Sequence, residues 1–157
     1  NYTLKSEMAG YTLINNKIVQ INSEQEIQSI EEALNKSSKY KSVETHLKRA
    51  LELISNRENP DFRNSIKESI SAVEAYCIIL TNNSKATLGK ALSKIETKFK
   101  LHNGLKSAFS ALYGYTSDSG GIRHSLLEDD ITITFEDAKF MLVSCSAFIN
   151  YLQVKEI

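Results

Sequence analysis

The most chemically suggestive stretch of the sequence is Gly114–Asp130, a polar, glycine-bearing run with Arg123 and His124 side by side near its middle. A fixed guanidinium beside a titratable imidazole can bind a phosphate and move a proton, the minimum needed to cleave a phosphodiester without a metal. Asp118, Ser119, Gly120 and Gly121 precede the pair, and Glu128, Asp129 and Asp130 follow it. Gly120-Gly121 lets backbone N–H groups approach an anion, and it serves equally well as a simple turn. Arg123 also has a purely structural reading, in which it pairs with the acidic cluster while His124 caps a turn. Spacing alone leaves both readings open.

A second group of residues is cationic. Lys90, Lys94 and Lys98 step by four, flanked by Lys85, Lys100 and Lys106, and Glu96 is the only acid between positions 85 and 106. Such a stripe can track a nucleic-acid backbone, or it can be an ordinary solvated helix face. Tyr113 and Tyr115 are candidate base-stacking rings, with helix-end packing as the alternative. Glu68 and Glu74 lie off the apolar stripe of their helix; either can turn inward to orient Arg123, or both can face solvent. His46 and His102 have no neighbours at metal-ligand spacing, so surface or locally satisfied roles are expected. No Ser–His–Asp order, phosphate-binding glycine loop, zinc spacing or helical His-Glu-x-x-His occurs. No metal or cofactor is called for.

The elements that position these residues follow from periodicity. Tyr11–Ile21 alternates around Asn15-Asn16 and predicts a β-hairpin that must pack on helices, because an isolated hairpin is marginal in water. Ser23 with Glu26 starts a helix carrying Ile27, Ile30 and Leu34. Val43, Leu47, Ala50, Leu51 and Ile54 predict a second helix over about 40–56, and Asn59-Pro60 marks the start of a third, with proline at its first position. That third helix holds the clearest core stripe: Ile66, Ile70, Val73, Cys77 and Leu80. Leu88 to Phe99 forms the next, and Leu105, Phe109 and Leu112 a shorter one beyond Gly104. Gly114–Asp130 is expected as loop with at most a turn or two of helix. Thr134 with Asp137 caps the last helix, whose Ala138, Met141, Leu142, Cys145, Phe148, Ile149 and Leu152 make a wide apolar face. The expected fold is a mainly all-α bundle of about six helices with a small N-terminal hairpin over 1–22 and the bundle over 23–157.

Composition sets the bounds. With 157 residues, 41% apolar and 24% charged, the chain can bury one core. A formal net charge of zero gives no global attraction to nucleic acid or anionic lipid, so any electrostatic footprint must be local. Cys77 and Cys145 sit in apolar patterns and are expected as buried thiols in a reducing compartment. No apolar run is long enough for a bilayer span, so no membrane partner is expected. The sequence opens on Asn1, from which a C-terminal piece of a longer protein is expected.

Three runs resemble a known family: Leu112–His124 (LYGYTSDSGGIRH), Phe135–Tyr151, and Asn64–Ala75. They are similar to the C-terminal domain of abortive-infection (AbiJ-like) proteins, within the HEPN superfamily of helical bundles, with the likeness best over about 60–153. The resemblance implies a bacterial cytoplasmic phage-defence protein that associates with RNA, forms a homodimer in which two Arg-containing motifs meet in one cleft, and works beside an N-terminal effector domain. It implies a metal-independent ribonuclease in active members, or a non-catalytic dimerisation or RNA-sensing module in others. The family motif is an Arg, a polar residue, then a His after four to six intervening residues. Arg123 matches the first position and His124 the second, while Glu128, Asp129 and Asp130 stand where the second histidine belongs. The candidate set is therefore Arg123, His124 and Glu128 for catalysis, and Lys90, Lys94, Lys98 and Tyr115 for RNA. Glu68, Glu74, Asp118, Gly120 and Gly121 are the supporting residues.

Overall fold

A computed structural model describes residues 11–21, 23–85, 87–117 and 133–155. The described chain begins with an antiparallel hairpin, β1 (Thr12–Ile14) and β2 (Lys17–Val19), in the register Thr12↔Val19, Leu13↔Ile18 and Ile14↔Lys17. Asn15 and Asn16 both adopt left-handed φ values, 45° and 61°, as a two-residue turn matched to strand twist requires. Ile14 and Val19 point into the core, and Lys17 bonds Glu52 at 3.2 Å, so the hairpin lies on the helices as expected.

Among the described residues six helices follow: α1 (Glu24–Lys36), α2 (Lys41–Ser55), α3 (Phe62–Thr81), α4 (Leu88–Phe99), α5 (Asn103–Ser117) and α6 (Phe135–Lys155). The mainly helical bundle with its small hairpin is the architecture the periodicity predicts. A single 3-10 turn, Ser37–Lys39, links α1 to α2. The Glu26 N–H donates to the Ser23 hydroxyl oxygen at 3.4 Å, and the carboxylate of Asp61 accepts the Asn64 N–H at 2.9 Å. The α3 boundary thus differs from the proline-first reading. Asp61 is the capping residue and Pro60 precedes it, because a carboxylate that accepts a free helical N–H outweighs proline's preset angle.

A second difference lies at α5. The helix is fifteen residues long and runs through Gly114 to Ser117, where the glycine-bearing pattern predicts a loop. Gly114 carries no positive φ, and the Thr116 hydroxyl donates to the Tyr113 carbonyl at 2.8 Å inside the last turn. At the other end His102 Nδ1 accepts the Gly104 N–H at 3.1 Å, so this histidine has a local structural role.

The core forms around α3, which packs against α2, α4, α5 and α6. Ser65, Ile66, Ser69, Ile70, Ala72, Val73, Tyr76, Cys77 and Leu80 are all buried along it. The Ser65 hydroxyl donates to the Ala50 carbonyl of α2 at 2.8 Å, and Ser69 to the Ser65 carbonyl at 2.9 Å. Helix α6 lies against α3 on one side and α1 on another, with Phe148 stacked on Phe109 of α5 at 3.5 Å between centroids. Replacing Ile70 by alanine should lower the unfolding free energy by about 2–5 kcal/mol, read from the urea midpoint. Ile79→Ala on the exposed side of the same helix should cost less than about 1 kcal/mol.

Candidate nucleic-acid interface

The described residues that flank the Arg123-His124 segment meet at one end of the bundle. Tyr115, in the last turn of α5, has its phenol pushed up by partial burial and then by the negative charge of Asp137, which places it beside the start of α6. Phe62 at the start of α3 and Phe135 at the start of α6 meet edge to face, 6.0 Å between centroids. The start of α6 is locked by a reciprocal cap. Thr134 donates its N–H and its hydroxyl to Asp137 Oδ2 at 2.9 and 2.7 Å, and the Asp137 N–H donates to Thr134 Oγ1 at 3.4 Å. Those two bonds from Thr134 hold the Asp137 carboxyl below its ordinary value of 3.8. Arg123, His124, Glu128, Asp118, Gly120 and Gly121 lie outside the described residues.

The acids expected to support Arg123 are placed otherwise. Glu68 Oε2 lies 2.6 Å from His46 Nδ1, joining α3 to α2 with both side chains about one-third exposed. The pair accounts for His46 as a partnered surface residue. Glu74 is half-buried on α3, and its charge adds to the burial that pushes the Cys77 thiol up to about 12. Burial alone raises Cys145 to about 12, so neither cysteine carries a reactive thiolate near neutral pH. Among the described residues no cluster of His, Cys, Asp or Glu is arranged to hold a metal ion, and no helix is long and apolar enough to cross a membrane.

The basic stripe divides on α4. Lys90 and Lys94 stand exposed one turn apart, with exposed Ser93 and Thr97 on the same side. Neither lysine makes an ion pair among the described residues, and Glu96, which points to another side of the helix, pairs with Lys106 across the α4–α5 contact. Lys98 is exposed as well, but its amine makes contacts of its own. It donates to the Leu80 carbonyl at 3.3 Å and sits 4.9 Å from the centroid of the Phe99 ring, where a cation also suits the negative C-terminal end of α3. All three predicted lysines thus reach solvent, and Lys98 in addition ties α4 to α3.

A cleft of about 320 Å³ opens between the hairpin, the end of α2 and the starts of α3 and α6. Tyr11, Ile18, Arg57, Phe62 and Phe135 form its walls, and the Arg57 guanidinium lies 5.0 Å from the centroid of the Tyr11 ring. No local sequence pattern signals this cleft, since its rings come from the chain's beginning, middle and end.

The chain matches no protein-family model, no curated protein and no solved structure.

The cap at the start of α6 makes a pH-dependent contribution with a definite sign. A carboxyl held below its unfolded value stabilises the fold above pH 3.8, and that contribution fades as the pH falls further. Thr134→Ala should therefore cost about 1 kcal/mol at neutral pH. In urea titrations the difference from wild type should shrink progressively below pH 3.8.

Proposed function

We propose that the chain is an RNA-associated domain of the HEPN, abortive-infection type, and that α4 is the face by which it holds the phosphate backbone. The observation that carries this reading is the pair Lys90 and Lys94, exposed one turn apart with no acidic partner among the described residues. In a chain of zero net charge, a local patch of unpaired cations is what attracts a polyanion. The Ser93 and Thr97 hydroxyls on the same side are spent on the Gly89 and Ser93 carbonyls, so the lysines alone make the phosphate contact, and a backbone contact of this kind carries no base specificity. The sequence likeness of Leu112–His124, Asn64–Ala75 and Phe135–Tyr151 to abortive-infection domains supplies the family part of the proposal.

Catalysis is assigned to Arg123 and His124. The guanidinium stabilises the charge that develops on the phosphate, and the imidazole moves the proton of the attacking hydroxyl, so no metal is required. A non-catalytic RNA-binding module is the second reading. It is favoured by Glu128, Asp129 and Asp130 standing where the second histidine of the motif belongs, since a carboxylate does not titrate near neutrality as an imidazole does.

Two measurements test the proposal. Binding of a single-stranded RNA by fluorescence anisotropy should weaken linearly on a log–log plot against salt. Lys90→Ala with Lys94→Ala should reduce that slope by about 1.4, at roughly 0.7 for each phosphate no longer neutralised, whereas no binding by the wild type removes the reading. Cleavage of the same RNA in EDTA should be present in the wild type and absent from Arg123→Ala with His124→Ala. Equal cleavage in both would end the catalytic assignment and leave the binding module.

A further inference from the structure

The cleft between the hairpin, the end of α2 and the starts of α3 and α6 combines apolar walls with a single cation. Ile18 on β2 is 42% exposed although it lines a concavity, and Phe62 and Phe135 are only half-buried, so hydrocarbon surface remains open on three sides. Arg57 enters from the turn that joins α2 to α3. Local bonds hold that turn in place. Asn56 Oδ1 accepts the N–H groups of Glu58 and Asn59, both at 3.1 Å, and the Asp61 N–H donates to the Leu53 carbonyl at 3.1 Å.

Among the side chains lining the cleft, Arg57 alone is charged. Its guanidinium lies 5.0 Å from the centroid of the Tyr11 ring and makes no hydrogen bond or ion pair among the described residues. The acids around it are engaged elsewhere or turned away. Asp61 accepts the Asn64 N–H and side-chain amide at 2.9 and 2.6 Å, and Glu52 is shared by Lys17 and Arg49 at 3.2 and 2.9 Å. Glu58, next in sequence, does not line the cleft. A guanidinium resting against an aromatic face still has its edge N–H groups to donate, in the fork that matches a carboxylate.

Size and charge together select the ligand. A volume of about 320 Å³ is at the small end of ligand sites, enough for one ring or branched chain with a polar head. One unpaired positive charge balances one carboxylate. A phosphate carries more charge and more acceptor oxygens than this wall can meet, since the Ser55 hydroxyl is already spent on the Glu52 carbonyl.

We propose that this cleft binds an apolar monocarboxylate, with the carboxylate on Arg57 and the hydrocarbon against Ile18, Phe62 and Phe135. A free organic acid and the C-terminal residue of a peptide present the same group. Gln20, also in the wall and without a hydrogen bond among the described residues, has an amide oxygen to accept the N–H of such a terminal residue. The site does not depend on the RNA reading, because no lysine lines it.

Nitrogen–proton correlation NMR of the whole chain tests the site, with phenylpropionate and its neutral isostere phenylpropionamide as probes. Titration with the acid should shift the Ile18 and Arg57 backbone amides and the Arg57 Nε–H. The acid should bind about tenfold more tightly than the amide, as expected for a hydrogen bond to a charged group. Arg57→Gln should lower the acid's affinity to that of the amide at an unchanged melting temperature, because Arg57 is exposed. Ile18→Glu, also at an exposed position, should abolish binding of the acid by placing a like charge beside it and should leave the Arg57 side chain in place. N-acetylglycylphenylalanine with a free C-terminus separates the two sources. Tighter binding than phenylpropionate assigns the site to a chain terminus, and equal or weaker binding assigns it to a free acid. Four results would overturn the proposal. They are no shift at Ile18 or Arg57 with either acid, equal affinity for acid and amide, a preference for the acid that survives Arg57→Gln, or adenosine monophosphate binding there more tightly than the carboxylates.

Discussion

At the joint between α2 and α3 a small side chain, Ser65, lets the two helices approach closely. Ser65 and Ser69 are fully buried there, and the Ser65 hydroxyl reaches the Ala50 carbonyl at 2.8 Å. Each hydroxyl donates to a backbone oxygen, so burying it leaves no donor unmade. The contact is bracketed by two others that fix the same register. The Asp61 N–H donates to the Leu53 carbonyl at 3.1 Å at the connecting turn, and Tyr40 packs on Tyr76 at 5.3 Å between centroids toward the far end. With the register set at three points, the rest of α3 has no freedom to slide. Glu68 therefore meets His46, and Phe62 stands at the bundle end where Phe135 can reach it.

That fixed axis governs what the remaining helices can offer. Helix α4 is joined to α3 at its C-terminal end by Lys98 on the Leu80 carbonyl, and to α5 by Glu96 with Lys106. Both contacts draw charge inward from one side of α4. Glu96 pairs with Lys106, and Lys98, itself exposed, ties α4 to the end of α3. Among the described residues, Lys90 and Lys94 are left as unpaired cations on the outer side. The face assigned to RNA thus results from how α4 is docked as well as from how many lysines it carries.

Much of this is legible in the sequence because it depends on local chemistry. Asn15-Asn16 tolerates the left-handed turn, Ser23 and Thr134 cap their helices, and the alternating steps from Ile66 to Leu80 can be satisfied only by a helix with a buried face. What escapes the sequence depends on contacts between distant segments, or on competition between two local signals. Pro60 and Asp61 both signal a helix start, and only the hydrogen bond to Asn64 ranks them. Gly114 reads as a loop residue, yet α5 continues through it, because the neighbouring turns are tied to the core by Phe109 on Phe148 and closed by Thr116. The direction of Lys98 is set by a carbonyl eighteen positions away, which no pattern of charges reveals. Arg123 and His124 are legible as a chemical pair and through their likeness to a motif, while the described geometry bears only on the residues that flank them.

Periodicity reads the core face of α6 correctly and is silent on its other sides. Seven core residues are readable along it, but its remaining positions do not follow the rule that polar means wet. Ser146 is buried, and the Asn150 and Gln153 amides donate to the Ser29 carbonyl of α1 and to the Ser37 hydroxyl of the 3-10 turn. Phe140 and Val154, which the core stripe leaves out, are among the most exposed apolar side chains described. Burying amides and leaving aromatic and aliphatic side chains in water both run against transfer from water, even on a helix whose main apolar face is in the core. The polar seam is satisfied in part, since both amides find oxygen acceptors while the Ser146 hydroxyl and the Asn150 and Gln153 side-chain oxygens meet no partner among the described residues. Phe140 and Val154 have no such compensation among the described residues.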